Sequence, residues 1–142
     1  MAKNTGERKR VPVKHIRDGI KSNYKKDCKC AICSTDEDLE LHHYRTVSIL
    51  FYKYCEENNI DISTDEKVVE MRDQFYKDHW DDLVERTVTL CNTHHTLLHS
   101  IYGREPALHT ASKQERWVQI QKEKIENKAK GIKTKGRFSS LI

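Results

Sequence analysis

Apolar residues along this chain recur at two periods, and the switch between them marks out its elements. Leu39-Glu40-Leu41-His42 alternates apolar and polar, the two-residue period of a half-buried strand, and Thr87-Val88-Thr89-Leu90 leads into a second strand-like run. Between them Val47, Leu50, Phe51 and Tyr54 fall at i, i+3, i+4 and i+7, one face of a helix over 46–58. Ser63 or Thr64 can cap a following helix predicted over 65–85, with Val68, Met71, Phe75, Tyr76, Trp80 and Leu83 as packing positions. His94 to His99 continues the second strand as a helix, which Tyr102-Gly103 ends because glycine suits a C-cap. Ser112 and Glu115 have the spacing of a capping box for a last helix over 113–129, carrying Trp117, Ile120 and Ile125. The expected class is α+β, with no internal repeat and no phosphate-cradling glycine loop.

Composition narrows this picture. A chain of 142 residues is one ordinary domain, and 34% charged residues, against a typical ~25%, leave much of it facing water. A core this small is expected to need a metal staple. No apolar run approaches the ~18 residues of a membrane span, and the first residues lack the apolar region of a signal peptide, so a cytoplasmic location without membrane contact is expected. The net charge of +4 is mild, but its distribution is uneven. Residues 3–29 and 128–137 are strongly basic, whereas 61–85 is acidic. Two basic ends suit a polyanion such as DNA.

Cysteine and histidine supply the chemistry. Five cysteines, at 28, 30, 33, 55 and 91, with no signal peptide, favour reduced thiols over a disulfide framework. Cys30-Ala-Ile-Cys33 and Cys91-Asn-Thr-His94 are two knuckles whose two-residue spacers let both ligands of each face one ion, so together they can close a tetrahedral Cys3His zinc site. Cys28 is an alternative to Cys30 in that set, and Cys55, in an apolar stretch, reads as a core residue. His42 and His43 are neighbours on a strand, point to opposite faces and must do different work. His95 and His99, four apart on a helix, share one face and can grip one metal.

At these residues the chain resembles the HNH nuclease family. The matching elements are Cys30-x2-Cys33, Leu39-Glu40-Leu41-His42-His43 and Thr89-Leu90-Cys91-x2-His94-His95-x3-His99, about 28–50 and 85–103. The resemblance implies a ββα-metal core with structural zinc, a helical insert and a C-terminal helix. It divides the chain into a basic arm (1–27), a nuclease core (28–110) with its insert at about 46–85, and a C-terminal helix with a basic tail (111–142). It makes His43 the general base, His42, His95 and His99 the ligands of one catalytic divalent ion (Mg2+, Mn2+, Ni2+ or Zn2+), and Cys30, Cys33, Cys91 and His94 the structural zinc ligands. The family's middle Asn, which orients the base, falls at Arg86, so either Glu85 or a backbone carbonyl fixes the tautomer of His43, or the orienting role is weakened. Arg45 and Arg104 are candidate phosphate contacts. The implied activity is metal-dependent hydrolysis of DNA to a 5′-phosphate and a 3′-hydroxyl, in a phage-type enzyme whose further partner is a second copy or a phage protein. The alternative is a non-catalytic zinc module that binds nucleic acid or a protein.

Overall fold

Residues 10–131 are described by the structure, a computed structural model; the basic stretches at 1–9 and 132–142 lie outside them. The described chain is a small α+β arrangement: α1 (Pro12–Ile20), β1 (Leu39–His43), α2 (Val47–Glu57), α3 (Asp65–Asp78), β2 (Thr87–Cys91), α4 (Asn92–Tyr102) and α5 (Ala111–Ala129). The strands pair antiparallel with Leu39 opposite Cys91 and His43 opposite Thr87. Alternation then does what the pattern predicts: His42 is buried on one side of the ribbon, and His43 faces the other.

Two apolar clusters flank this ribbon. The larger joins α1, α2 and α3 through Ile16, Ile20, Leu50, Phe51, Val68 and Phe75. Phe51 and Phe75 meet edge to face at 5.7 Å, a favoured aromatic geometry. The smaller gathers Cys30, Ile32, Tyr44, Leu90, Leu98 and Val118, linking the knuckle, α4 and α5. Neither cluster alone offers much apolar area, so the ribbon between them depends on both.

Four expectations differ from the structure. Residues 12–20, inside the expected basic arm, form a helix. Pro12 is preset for its first turn, and Val13, Ile16 and Ile20 are buried against the other helices. Tyr76 donates to the Ile16 carbonyl (2.7 Å) and Arg72 to the His15 carbonyl (3.1 Å), so polar bonds pin the helix as well.

The helix predicted over 65–85 ends at Asp78; Thr64 caps its start by accepting from the Lys67 N–H. His79 leaves helical geometry (ψ 24°), and a π-turn over Asp81–Glu85 closes with Arg86 N–H donating to the Asp81 carbonyl at 2.7 Å. That wider turn swings Leu83 and Val84 inward and leaves Trp80 40% exposed.

Ser112 and Glu115 do not cap α5, which already starts at Ala111. They bind Arg86 instead: both Glu115 oxygens accept from its guanidinium, at 2.8 and 2.9 Å, and the Ser112 hydroxyl at 3.3 Å. Ile120 and Ile125, expected to pack, are exposed because α5 runs past the body it docks on.

Ile16→Ala is expected to lower stability by about 2–5 kcal/mol in urea unfolding, the cost of a cavity in a packed core. A change below ~0.5 kcal/mol is what a solvated arm would give.

Candidate functional site

The knuckle loop before β1 and the junction of β2 with α4 bring three thiols and an imidazole together. Cys30, Cys33, Cys91 and His94 place one donor atom each within 4.8 Å of one another. Cys33 Sγ and Cys91 Sγ are 3.8 Å apart, the ~3.8 Å edge expected of two thiolates on one tetrahedral zinc with ~2.3 Å bonds. His94 Nδ1 lies 3.3 Å from Cys91 Sγ and 3.9 Å from Cys30 Sγ. Cys28 is exposed and outside the group, and Cys55 is buried in the larger cluster, as its apolar surroundings suggest. Burial works against ionising Cys30, yet N–H groups of Cys33, Cys91 and Ile32 outweigh it and hold the thiol below its ordinary value. Bonds from Cys30 N–H to the Thr35 carbonyl (2.8 Å) and from Ala31 N–H to the Thr89 carbonyl (2.9 Å) tie the knuckle to itself and to β2. The donor set and its spacing fit zinc.

A second group forms where β1 faces α4. His42, His95 and His99 also place one nitrogen each within 4.8 Å of one another. His42 Nδ1 is 3.1 Å from His95 Nε2, which is 3.0 Å from His99 Nε2. Every outward nitrogen faces an acceptor. His42 Nε2–H donates to Gln114 Oε1 (2.7 Å), His95 Nδ1–H to a Glu40 carboxylate oxygen (2.7 Å) and His99 Nδ1–H to the Gly103 carbonyl (2.8 Å). The protons are thereby spent outward, and three lone pairs converge. Such a cluster is repulsive without a cation, and its spacing is close to the ~3.3 Å edge of three imidazoles on one ion. Burial pulls His42 down to about 4, which keeps it neutral, as a ligand must be. Bonds from His95 and Asn92 hold the Glu40 carboxyl below the usual range. Gly103 sits at φ +95°, a conformation open to glycine, and this aims its carbonyl back at His99.

His43 points away from this trio and is held differently. Its Nε2–H donates to the Leu83 carbonyl at 2.8 Å, and its ring packs edge-on against Tyr24 at 5.0 Å. Nδ1 therefore carries the lone pair. A backbone carbonyl, one of the three expected alternatives, holds this tautomer; Glu85 instead pairs with Lys25. Burial, assisted by the charge of Arg17, lowers the pKa of His43, while the Leu83 bond opposes the shift.

His42, His43, His95 and His99 line one open cleft of about 390 Å³, with Arg17 and Arg104 among its other walls. Arg104 was expected there. Arg45 is not in the lining, and its guanidinium pairs with Asp82 at 2.9 Å. Arg17 was missed, although Val13, Ile16 and Ile20 at i, i+3 and i+7 behind Pro12 are a helical signal that would have placed it. Among the described residues its guanidinium has no carboxylate partner. Among the described residues no helix is long and apolar enough to cross a membrane.

Cys91→Ser is expected to remove about one zinc per chain, read by elemental analysis against the unchanged protein, and to lower the thermal midpoint by roughly 10 °C. Unchanged zinc content and midpoint would mean that the four residues hold no metal.

A family model for phage T5 nicking endonucleases, described as the nicking endonuclease family, matches residues 1–136 of this chain. No solved structure matches it. A match over nearly all of the sequence, with both histidine and cysteine groups inside it, assigns the chain: it belongs to the nicking endonuclease family.

Proposed function

We propose that this endonuclease hydrolyses one strand of DNA by the HNH mechanism, with one catalytic divalent ion and His43 as general base. The observation that carries this reading is the sharing of one cleft by the three converging imidazoles and by a histidine with a free Nδ1. The order β1, β2, α4, with the metal group between β1 and α4 and the knuckles behind, supports the ββα-metal comparison. His42, His95 and His99 would hold the catalytic ion and Cys30, Cys33, Cys91 and His94 the structural zinc. The catalytic ion supplies Lewis-acid help at the scissile phosphate and the leaving oxygen.

The protein's own groups account for the rest. The Leu83 carbonyl keeps the His43 proton on Nε2, so Nδ1 accepts a proton from the attacking water. The water oxygen bonds to phosphorus, the bond to the 3′ oxygen breaks, and that oxygen takes up a proton from solvent, so the products are a 5′-phosphate and a 3′-hydroxyl. Arg17 and Arg104, on the cleft walls, contact flanking phosphates. One such cleft among the described residues cuts one strand per encounter, which agrees with the family name and requires no second copy.

His43→Ala is expected to slow plasmid nicking by about 10²–10⁴-fold while metal content is retained. An unchanged rate removes His43 as base. Absence of cleavage in Mg2+, Mn2+, Ni2+ or Zn2+ with DNA binding intact would favour a non-catalytic zinc module. Arg17→Ala is expected to weaken DNA binding uniformly across sequences and to reduce the slope of log affinity against log salt by about 1. An unchanged slope means that Arg17 touches no phosphate.

A further inference from the structure

Gln114 is the least expected buried residue in the protein. Its side chain is 0% exposed on α5, far in sequence from either metal group, and both N–H donors and the oxygen of its amide are hydrogen-bonded. Its nitrogen donates to the Tyr44 carbonyl (3.1 Å) and to the Thr110 hydroxyl (2.9 Å), and its oxygen accepts from His42 Nε2–H (2.7 Å). A buried amide with every donor and acceptor satisfied has one low-energy orientation.

That orientation propagates. The Tyr44 carbonyl can only accept, so the amide nitrogen must face it, and a flipped amide would set two acceptors 3.1 Å apart. The oxygen is therefore left for His42, whose Nε2 must be the donor. Nδ1 is then bare, and Nδ1 is the atom that faces His95 and His99. We infer that Gln114 is the positioning residue of the three-histidine group, which selects the Nε2–H tautomer of His42 and so prepares its Nδ1 to bind metal. His95 and His99 take their tautomers from Glu40, across from β2 on β1, and from Gly103, beside α4. His42 takes its own from α5, so docking of α5 and readiness of the site are one event.

This rests on reading the three histidines as a metal site, yet the tautomer can be measured without any cleavage assay. The test uses the full chain, zinc-loaded and 15N-labelled at histidine, in long-range 1H–15N correlation spectra. Wild-type His42 is expected to show a protonated Nε2 and an unprotonated Nδ1; the reverse pattern overturns the proposal with no variant needed. Gln114→Met keeps the volume and removes the acceptor. It is expected to mix the tautomers and to weaken Mn2+ binding, read by electron paramagnetic resonance, by about 10–100-fold. Gln114→Glu, buried and therefore protonated, donates its O–H to the Tyr44 carbonyl, keeps an acceptor toward His42 and is expected to stay within about 10-fold of wild type. Mn2+ affinity unchanged in a folded Gln114→Met protein overturns the inference. If that variant does not fold, the wild-type tautomer and the Gln114→Glu affinity decide it. A nuclease reading that fails while the tautomer and Mn2+ results hold would leave a metal-binding module with the same positioning residue.

Discussion

The register of one short strand pair governs both ligand groups. With Leu39 opposite Cys91 and His43 opposite Thr87, Cys91 ends β2 beside the knuckle loop, while His42 lies under α4. A slip of one residue would turn every side chain of β1 to the other face and exchange His42 with His43. The ring that now bonds the Leu83 carbonyl would then face α4, and the ring that now bonds Gln114 would face away. A five-residue ribbon cannot enforce that register alone, since an isolated hairpin is marginal in water. The two apolar clusters, the knuckle bonds from Ala31 to Thr89 and the Asn92 N–H bond to the Asp38 carbonyl (2.9 Å) enforce it from outside.

The neighbouring helices explain why a chain so rich in charge still builds a defined cleft. α1 covers the larger cluster with Ile16 and Ile20 and turns Arg17 toward the cleft. The π-turn spends helical regularity to bury Leu83 and present its carbonyl to His43. Such turns occur often at functional sites, where a wider turn re-aims one group without moving its neighbours. α5 is fastened twice, by Gln114 to His42 and Tyr44 and by Glu115 and Ser112 to Arg86 just before β2. The position that resemblance reserved for an Asn is thus occupied by a residue that anchors a helix, while the orientation of His43 is supplied by the backbone.

Periodicity carried far where one period dominated. The alternation of Leu39 to His42, the helical face of Val47 to Tyr54 and the knuckle spacings made the strands, α2, the Cys3His set and the His95–His99 pair legible, while His42 joined that pair only through the family resemblance. What escaped has physical causes. α1 was hidden because Lys14, Arg17 and Asp18 fall between its apolar positions, and the basic run around it masked the period. The break after Asp78 was hidden because Trp80 and Leu83 continue a helical spacing that a π-turn widens. Ser112 and Glu115 fit a capping box by spacing, but a tertiary partner, Arg86, outbid the local one. Gln114 gave no signal, since a buried amide is recognisable only by the groups around it.

The proposed function requires the knuckle loop, one strand pair and one helix to hold two metal ions of different kinds at separate places. Anomalous diffraction from crystals of the full chain soaked in Mn2+, recorded at the zinc and manganese edges, tests this most directly. The account predicts a zinc peak among Cys30, Cys33, Cys91 and His94 and a manganese peak among His42, His95 and His99. A manganese peak absent from the three histidines, with the cleft open to solvent in the crystal, would contradict it.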